Sequence, residues 1–193
     1  SSGIGKATAI LFAKKGARVA LVARNNEKLE KVKNSINVDI GQVGIFPFDL
    51  MKINSIAELV QNIEKYFNDT VDILVNSAGF AVLGLIENVP IDAYKNNLQL
   101  NYFAPLRLIQ TVLPGMKKKQ AGQIINLFSG VGKRGLPGVS SYCVTKFALN
   151  GLTESLRVEV SQYNIDVILF WVICKTVRLS YVVSQFFQNL VVA

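Results

Sequence analysis

Apolar and polar residues alternate along the chain in blocks that predict strands and helices in turn. Apolar runs predict buried strands over 17–23, 44–48, 71–79, 123–129 and 165–170. The segments between them predict helices over 6–15, 25–36, 56–67, 92–119 and 142–163, with Pro105 and Pro114 as boundaries or kinks of the fourth. Strands that are apolar throughout and alternate with helices indicate a parallel sheet covered on both faces. The predicted class is therefore α/β, with a doubly wound parallel sheet.

The order of these elements also predicts where a functional site lies. In a doubly wound sheet, ligands bind beyond the carboxyl ends of the strands, where the strand order reverses. Residues that directly follow a predicted strand, or end it, are therefore the first candidates. They include Arg24, Asp49, the stretch 76–79 and Ser129.

Size and composition limit the class of protein. With 193 residues, 50 % of them hydrophobic and 18 % charged, the chain predicts one globular domain over 1–193. No apolar run reaches the ~18 residues that a membrane-spanning helix needs. Cys143 and Cys174 have no metal-binding spacing and favour a reducing compartment, so we expect a cytoplasmic location. An anchor to a membrane, ahead of Ser1, is the alternative to a cytoplasmic location, because the chain begins within a sequence motif that is described below.

Charge and histidine content narrow the possible functions. A formal net charge of +8 suits a nucleic acid, an anionic membrane or a phosphorylated small molecule. The basic residues are scattered, and their one run, 117–119, is typical of a solvated helix end, so we expect no nucleic-acid partner. The absence of histidine excludes Ser-His-Asp and Cys-His catalysis within this chain, and no metal site is predicted.

The opening stretch SSGIGKATA is a candidate phosphate-binding loop. A P-loop needs a hydroxyl residue directly after its Gly-Lys pair, whereas Gly5-Lys6 is followed by Ala7. A dinucleotide-binding turn needs glycines where the backbone approaches a diphosphate at a helix N-terminus, and Gly3 and Gly5 precede a predicted helix. An ordinary glycine turn is the alternative.

A second candidate lies at Ser129, Tyr142 and Lys146. Tyr142 and Lys146 are four residues apart on a predicted helix, so their side chains share a face. An ammonium group beside a phenol lowers the phenol's pKa from its usual ~10, which suits the phenol for proton transfer. Taken singly, the pair could be an exposed helix face and Ser129 a strand-end cap.

Taken in order, these motifs resemble the short-chain dehydrogenase/reductase family over residues 1 to about 170. SSGIGKATA is similar to the end of the family's T-G-x-x-x-G-x-G, and NSAG at 76–79 to its N-N-A-G, with Ser77 replacing an asparagine. Asn101 in LNYFAP matches the family's helix asparagine, and Ser129, Tyr142 and Lys146 match its catalytic spacing. The resemblance implies a Rossmann-like fold and an oxidoreductase that interconverts a carbonyl and an alcohol by hydride transfer.

The resemblance also implies the role of each site residue. Tyr142 would be the general acid/base, Ser129 would hold the substrate oxygen, Lys146 would bind the nicotinamide ribose, and Asn101 would hold a water in a proton relay. Cofactor contacts would come from Ser2, Gly3, Ile4, Gly5, Arg24, Asp49, Leu50, Asn76, Ala78, Gly79, Tyr142, Lys146 and Thr176.

The end of the second strand predicts which dinucleotide is bound. An acid at this position usually bonds the ribose 2′-OH of NAD, whereas an arginine accommodates the 2′-phosphate of NADP. Here the strand leads into Arg24-Asn25-Asn26, and no acid comes before Glu27. The sequence therefore favours NADP(H) and carbonyl reduction, with NAD(H) as the alternative cofactor.

The resemblance is incomplete at both ends. In the family a strand and a first glycine precede SSGIG, and a Pro-Gly turn stands where this chain has Trp171 and Val172. Residues 171–193 match no family pattern. We therefore expect a fragment that folds poorly or aggregates by itself. The alternative to an oxidoreductase is a cofactor-binding or interaction protein of the same fold that has no catalytic activity.

Substrate and assembly are less well defined. By the resemblance, the segment 79–89 would border the pocket, and it is apolar, which favours a lipophilic ketone, either steroid-like or with an acyl chain. The family commonly associates through its two long helices, here about 101–118 and 142–162. A homodimer or homotetramer is therefore expected from the resemblance.

Overall fold

In the computed structural model, the described residues are 3–36 and 42–172. They form two compact units, one of residues 3–36, 42–49 and 61–69, the other of residues 50–60 and 70–172. The helices are α1 (Gly3–Lys14), α2 (Asn26–Asn34), α3 (Ile56–Phe67), α4 (Ile91–Leu98), α5 (Ala104–Lys119) and α6 (Ser140–Val160). The strands are β1 (Val19–Ala23), β2 (Val43–Pro47), β3 (Ile73–Asn76), β4 (Gly122–Ser129) and β5 (Ile165–Val172).

The first unit is built on two parallel strands. β1 pairs with β2 from Val19 opposite Val43 to Ala23 opposite Pro47. Gly16 has a φ of +89°, a left-handed conformation that suits glycine and ends α1 before β1 begins. The side chain of Asn25 accepts a hydrogen bond from the Lys28 N–H and so caps α2. The buried core of this unit consists of Ala9, Ala13, Leu21, Leu29, Val32, Ile36 and Val43.

The second unit holds a three-stranded parallel sheet in the order β3-β4-β5. Asn76 lies opposite Asn126 in the β3–β4 ladder, and Ser129 opposite Val172 in the β4–β5 ladder. The core against this sheet consists of Val60, Ile109, Val112, Met116, Ile124, Leu156, Val160, Ile165 and Val167. Parallel strands that alternate with helices confirm the predicted α/β class.

A wide helical turn joins α4 to α5. Residues Gln99–Phe103 form a π-helix, and Pro105 lies in the first turn of α5. A proline ring clashes with the carbonyl four residues earlier, which here belongs to Asn101, and widening the helix relieves that clash. Pro114 lies inside α5 and does not end it. The segment predicted as one helix with interruptions is thus two helices joined at Asn101.

Two strand lengths differ from the prediction. β3 covers only Ile73–Asn76, so Ser77, Ala78 and Gly79 follow the strand instead of belonging to it. β5 continues past the predicted end at residue 170 to Val172 because it pairs with β4 along that whole length. Among the described helices, none is both long and apolar enough to cross a membrane.

Candidate active site

The end of β4 and the first turns of α6 bring Ser129, Tyr142 and Lys146 together. Ser129 is the last residue of β4, and a short turn, Gly130–Gly132, follows it directly. The Ser129 side chain lies close enough to the Tyr142 phenol to lower its pKa through hydrogen bonding. The Lys146 ammonium lies 5.5 Å from the centre of the Tyr142 ring. The three residues predicted from their spacing therefore form one cluster.

The phenol of Tyr142 is held in its protonated form. Burial raises its pKa above the usual 10.0, the hydrogen bond from Ser129 lowers it, and Cys143 raises it further. The net direction is upward, which is opposite to the lowering expected from the sequence. The difference arises because desolvation disfavours a buried phenolate more strongly than the Ser129 hydrogen bond favours it. At neutral pH the cluster thus presents a proton donor.

Lys146 is the buried cation of the cluster. Its side chain is only 7 % exposed, and its ammonium donates a hydrogen bond to the Leu127 carbonyl at 2.9 Å. Burial lowers the pKa of Lys146 to about 8, since removing an ammonium from water disfavours its charged form. This hydrogen bond ties the Lys146 ammonium to the backbone of β4, two residues before Ser129.

Asn101 is fully buried in the π-helical turn and holds the chain that follows β3. Its Oδ1 accepts from the Phe80 N–H at 3.1 Å, and its Nδ2 donates to the Phe80 carbonyl at 2.8 Å. Nδ2 also lies 3.2 Å from the Thr145 hydroxyl, which donates to the Tyr142 carbonyl at 2.8 Å. Asn101 therefore connects the segment after β3 to the turn of α6 that carries the tyrosine.

Gly79 is required beside this amide. A methyl group added at Gly79 would lie 2.9 Å from Asn101 Oδ1, closer than such atoms normally approach. The predicted cofactor contacts Ala78 and Gly79 are exposed, whereas Leu50 is half-buried. Ala78 and Gly79 thus line an open surface directly after the carboxyl end of β3.

A buried polar network next to the site was missed by the sequence reasoning. The Asn76 Nδ2 donates to Asn126 Oδ1 at 2.8 Å, and the Asn126 Nδ2 donates to Thr153 Oγ1 at 2.9 Å. These bonds link β3, β4 and α6. Asn126 interrupts an otherwise apolar strand, which is the signal that could have indicated such a network. Among the described residues, Asn76 Oδ1 has no hydrogen-bond partner.

The first unit carries the predicted glycine turn. Gly3 has a φ of +57° at the first position of α1, and Ile4 and Gly5 follow within the first turn. No acidic residue lies in that turn. No carboxylate of the first turn therefore neutralises the partial positive charge of this helix N-terminus, which suits an anionic group such as a diphosphate.

The carboxyl ends of β1 and β2 place the other candidates of this unit at one edge. The Phe48 N–H donates to the Ala23 carbonyl at 2.9 Å, so exposed Arg24 and half-buried Asp49 directly follow this pair of strand ends. The Asn25 side chain caps α2, whereas the side chain of Arg24, which precedes it, is exposed.

Two predicted contacts, Ser2 and Thr176, lie outside the described residues. Trp171 and Val172, which replace the expected Pro-Gly turn, belong to β5. The Trp171 ring packs edge-on against Phe128 with 4.9 Å between ring centres. The chain is therefore still extended at the position where the family turns.

Comparisons with known proteins agree with this arrangement. The family model for short chain dehydrogenases matches residues 1–178, and the chain belongs to that family. The predicted membership and the Rossmann-like doubly wound fold are thereby confirmed.

Similar proteins include a dehydrogenase/reductase SDR family protein 7-like of Drosophila melanogaster, 35 % identical over 86 % of this chain and 52 % of the relative. A fatty acyl-CoA reductase of Acinetobacter baylyi is 38 % identical over 86 % of this chain and 57 % of its own length. The chain thus spans little more than half the length of these relatives.

Solved structures give the same result. A metagenomic short-chain oxidoreductase in complex with NADP has a TM-score of 0.88 at 29 % identity, covering 95 % of this chain and 83 % of the other. An NAD⁺-bound xylitol dehydrogenase has a TM-score of 0.79 at 28 % identity, covering 85 % and 63 %. Both dinucleotides thus occur among similar folds.

Proposed function

We propose that this protein is an NADP(H)-dependent oxidoreductase that reduces a carbonyl compound to an alcohol, with Tyr142 as the proton donor. The observation that carries the proposal is the buried Lys146 ammonium 5.5 Å from the centre of the Tyr142 ring, with Ser129 close enough to lower the pKa of the same phenol. Since the chain contains no histidine, a phenol of raised pKa is the best placed proton donor of this cluster.

Each residue of the cluster has a defined task. The Ser129 hydroxyl donates a hydrogen bond to the carbonyl oxygen of the substrate and polarises it. The Tyr142 phenol transfers its proton to that oxygen, which forms the O–H bond of the alcohol. The phenolate left behind is stabilised by the Lys146 ammonium, 5.5 Å from the ring centre.

The residues of the first unit fit the phosphate end of a dinucleotide. Gly3 and Gly5 open a twelve-residue helix that has no acid in its first turn, so its N-terminus suits a diphosphate. Exposed Arg24 supplies a planar cation for a 2′-phosphate. When bound, NADPH supplies the hydride that the carbonyl carbon accepts and is left as NADP⁺.

The role of Tyr142 is tested by Tyr142→Phe in the full-length protein. The variant should lose about 10²–10⁴-fold in kcat while it keeps its NADPH affinity, because only the transferable proton is removed. Tyr163→Phe is the matched control, since Tyr163 follows the C-terminal end of α6 whereas Tyr142 lies in its first turn, and Lys117 is 4.6 Å from the ring centre of Tyr163. If Tyr142→Phe retained its activity, Tyr142 would not be the proton donor.

The preference for the phosphorylated cofactor is tested by titration. NADPH should bind more tightly than NADH in the full-length protein, and Arg24→Ala should weaken NADPH binding while leaving NADH binding unchanged. Tighter binding of NADH by the unaltered protein would assign the cofactor as NAD(H).

A cofactor-binding protein without catalysis is the second candidate. The observation in its favour is β5, which continues through Trp171 and Val172 in place of the family's Pro-Gly turn. If the unaltered protein binds NADPH but reduces no carbonyl compound, this candidate is favoured over the reductase.

The cytoplasmic location and the homodimer or homotetramer stay predictions. One relative is named for fatty acyl-CoA, a substrate with a long aliphatic chain, and this supports a lipophilic carbonyl compound as the substrate.

A further inference from the structure

The side-chain amide of Asn101 has more hydrogen-bond partners than its attachment to Phe80 requires. Its Oδ1 accepts from the Phe80 N–H at 3.1 Å, and its Nδ2 donates to the Phe80 carbonyl at 2.8 Å. Nδ2 also lies 3.2 Å from Asn97 Oδ1 and 3.2 Å from Thr145 Oγ1. An amide nitrogen carries two hydrogens, so three acceptors surround two N–H bonds. One hydrogen points to Phe80, and the other is shared between Asn97 and Thr145.

Both of these sharing groups act as acceptors toward Asn101. The Thr145 hydroxyl uses its one hydrogen on the Tyr142 carbonyl at 2.8 Å, so its oxygen can only accept from the amide. The Asn97 Nδ2 donates to the Ala93 carbonyl at 3.3 Å, which keeps the oxygen of the same side chain turned toward Asn101. The shared N–H thus has two acceptors of the right polarity.

Burial makes the shared N–H dependent on these two acceptors. Asn97 and Thr145 are each 0 % exposed, and Asn101 is 1 % exposed. A buried N–H that loses every acceptor is costly, whereas one that exchanges one acceptor for another loses little. Each acceptor can therefore substitute for the other. The loss of both would leave the Asn101 amide free to turn away from Phe80.

The two acceptors lie on two different helices of the second unit. Asn97 lies on α4, four residues before Asn101. Thr145 lies on α6, three residues after Tyr142. The amide between them holds the segment after β3, in which residues 78–79 are predicted cofactor contacts. One hydrogen bond therefore ties this segment to the helix turn that carries the proposed proton donor.

We propose that Asn97 and Thr145 are positioning residues that hold the Asn101 amide in one orientation, and that either of them alone is sufficient. The part of this inference that concerns catalysis rests on the proposed function. A fixed amide keeps the predicted cofactor contacts 78–79 at a constant distance from Tyr142. The orientation of the amide is independent of that function and is measured separately.

The first test measures hydrogen exchange of the Phe80 N–H, which Asn101 Oδ1 accepts, in the full-length protein. Asn97→Leu and Thr145→Val should each change the exchange rate by less than about threefold, since one acceptor remains. The double variant Asn97→Leu/Thr145→Val should raise the rate about ten- to hundredfold, which is the factor expected when a buried N–H loses its last acceptor.

Three controls separate this effect from a general loss of stability. The Gly84 N–H is bonded to the Gly138 carbonyl at 2.9 Å, and its exchange should stay unchanged in every variant. Asn96→Leu/Thr145→Val alters the exposed neighbour of Asn97 instead, and it should behave as Thr145→Val alone. Asn97→Leu/Thr145→Ser should restore slow exchange, because serine keeps the hydroxyl.

The second test is catalytic. In the double variant, kcat/KM for carbonyl reduction with NADPH should fall about tenfold. The two single variants and the serine variant should stay within about threefold of the unaltered protein. Two independent structural hydrogen bonds would give effects that add. An effect that is small for each change alone, large for both and rescued by serine is therefore specific to the shared N–H.

The outcomes separate this inference from the proposed function. Faster exchange at Phe80 in either single variant, no change in the double variant, or equal increases at Phe80 and Gly84 would overturn the inference. The expected exchange pattern with an unchanged kcat/KM would overturn the positioning role. The same pattern in a protein that neither binds NADPH nor reduces a carbonyl compound would overturn the proposed function and support the assigned amide orientation.

A separate measurement decides the case in which the double variant does not fold. The side-chain amide protons of Asn101 should then stay protected from exchange in Asn97→Leu and in Thr145→Val. Protection in both single variants supports the inference, since each retains one acceptor. Loss of protection in either would show that the two acceptors do not substitute for each other, and the inference would be wrong.

Discussion

At the scale of single residues, the site combines a phenol and an ammonium, and the pKa of each has shifted in the direction that favours its own uncharged form. Burial raises the pKa of Tyr142 above 10.0 and lowers that of Lys146 to about 8. At neutral pH the phenol is therefore protonated and Lys146 is positively charged. This combination suits a group that must give a proton and then carry a negative charge beside a cation.

The pH dependence of carbonyl reduction follows from these directions. Above pH of about 8, Lys146 loses its proton while Tyr142 keeps its own, so the cation that stabilises the phenolate disappears. The kcat/KM for reduction should fall about tenfold per pH unit there, as expected for one ionisation. Lys146→Arg should remove this alkaline fall, because arginine stays charged. An unchanged profile in that variant would assign the fall to another group.

At the scale of elements, the site depends on how closely the turn after β4 packs against α6. Gly130 and Gly132 both lie in that turn, but only Gly132 is enclosed. A methyl group at Gly132 would overlap the buried Phe128 ring and lie 2.9 Å from the Lys146 backbone carbonyl, whereas one at Gly130 would meet nothing within 4 Å.

This pair of glycines gives a prediction with its own control. Gly132→Ala should lower the free energy of unfolding by about 1–3 kcal/mol, because neither the ring nor the backbone can move at low cost. It should also lower kcat, since Lys146 is displaced. Gly130→Ala should leave stability unchanged or raise it by up to about 1 kcal/mol. Denaturant unfolding of both variants measures the difference, and equal effects would contradict the packing argument.

Much of the element structure and the proximity of Ser129, Tyr142 and Lys146 could be predicted from the sequence. The apolar runs indicated the strands, and the spacing of Ser129, Tyr142 and Lys146 indicated that they share one site. The Asn76–Asn126–Thr153 network could not be predicted, because it depends on the register that places Asn76 opposite Asn126. The upward pKa of Tyr142 was also missed, because burial is set by packing in three dimensions.

At the scale of the whole molecule, open strand edges and net charge act in opposite directions. Within residues 3–36 and 42–172, β1 is paired only with β2, and β3 only with β4. An open strand edge pairs readily with another chain. A net charge of +8 repels copies of the same chain and opposes that pairing. The prediction of one domain over 1–193 stays a prediction.

This opposition predicts a salt-dependent association of the 193-residue chain produced by itself. Raising sodium chloride from 0.01 M to 1 M shortens the screening length from about 30 Å to about 3 Å, so the charge repulsion is lost while the strand edges stay open. Light scattering should therefore increase with salt. A monomer that melts cooperatively at high salt would show that these edges are protected.

The Asn101 amide also limits how this position can vary. By offering one acceptor and one donor to the same residue, Phe80, it imitates the backbone of an adjoining strand. Aspartate preserves the acceptor but loses the donor, leucine loses both, and serine falls short of the distance. A carboxamide of this length meets both requirements, so homologues that lack it must hold the segment after β3 by other means.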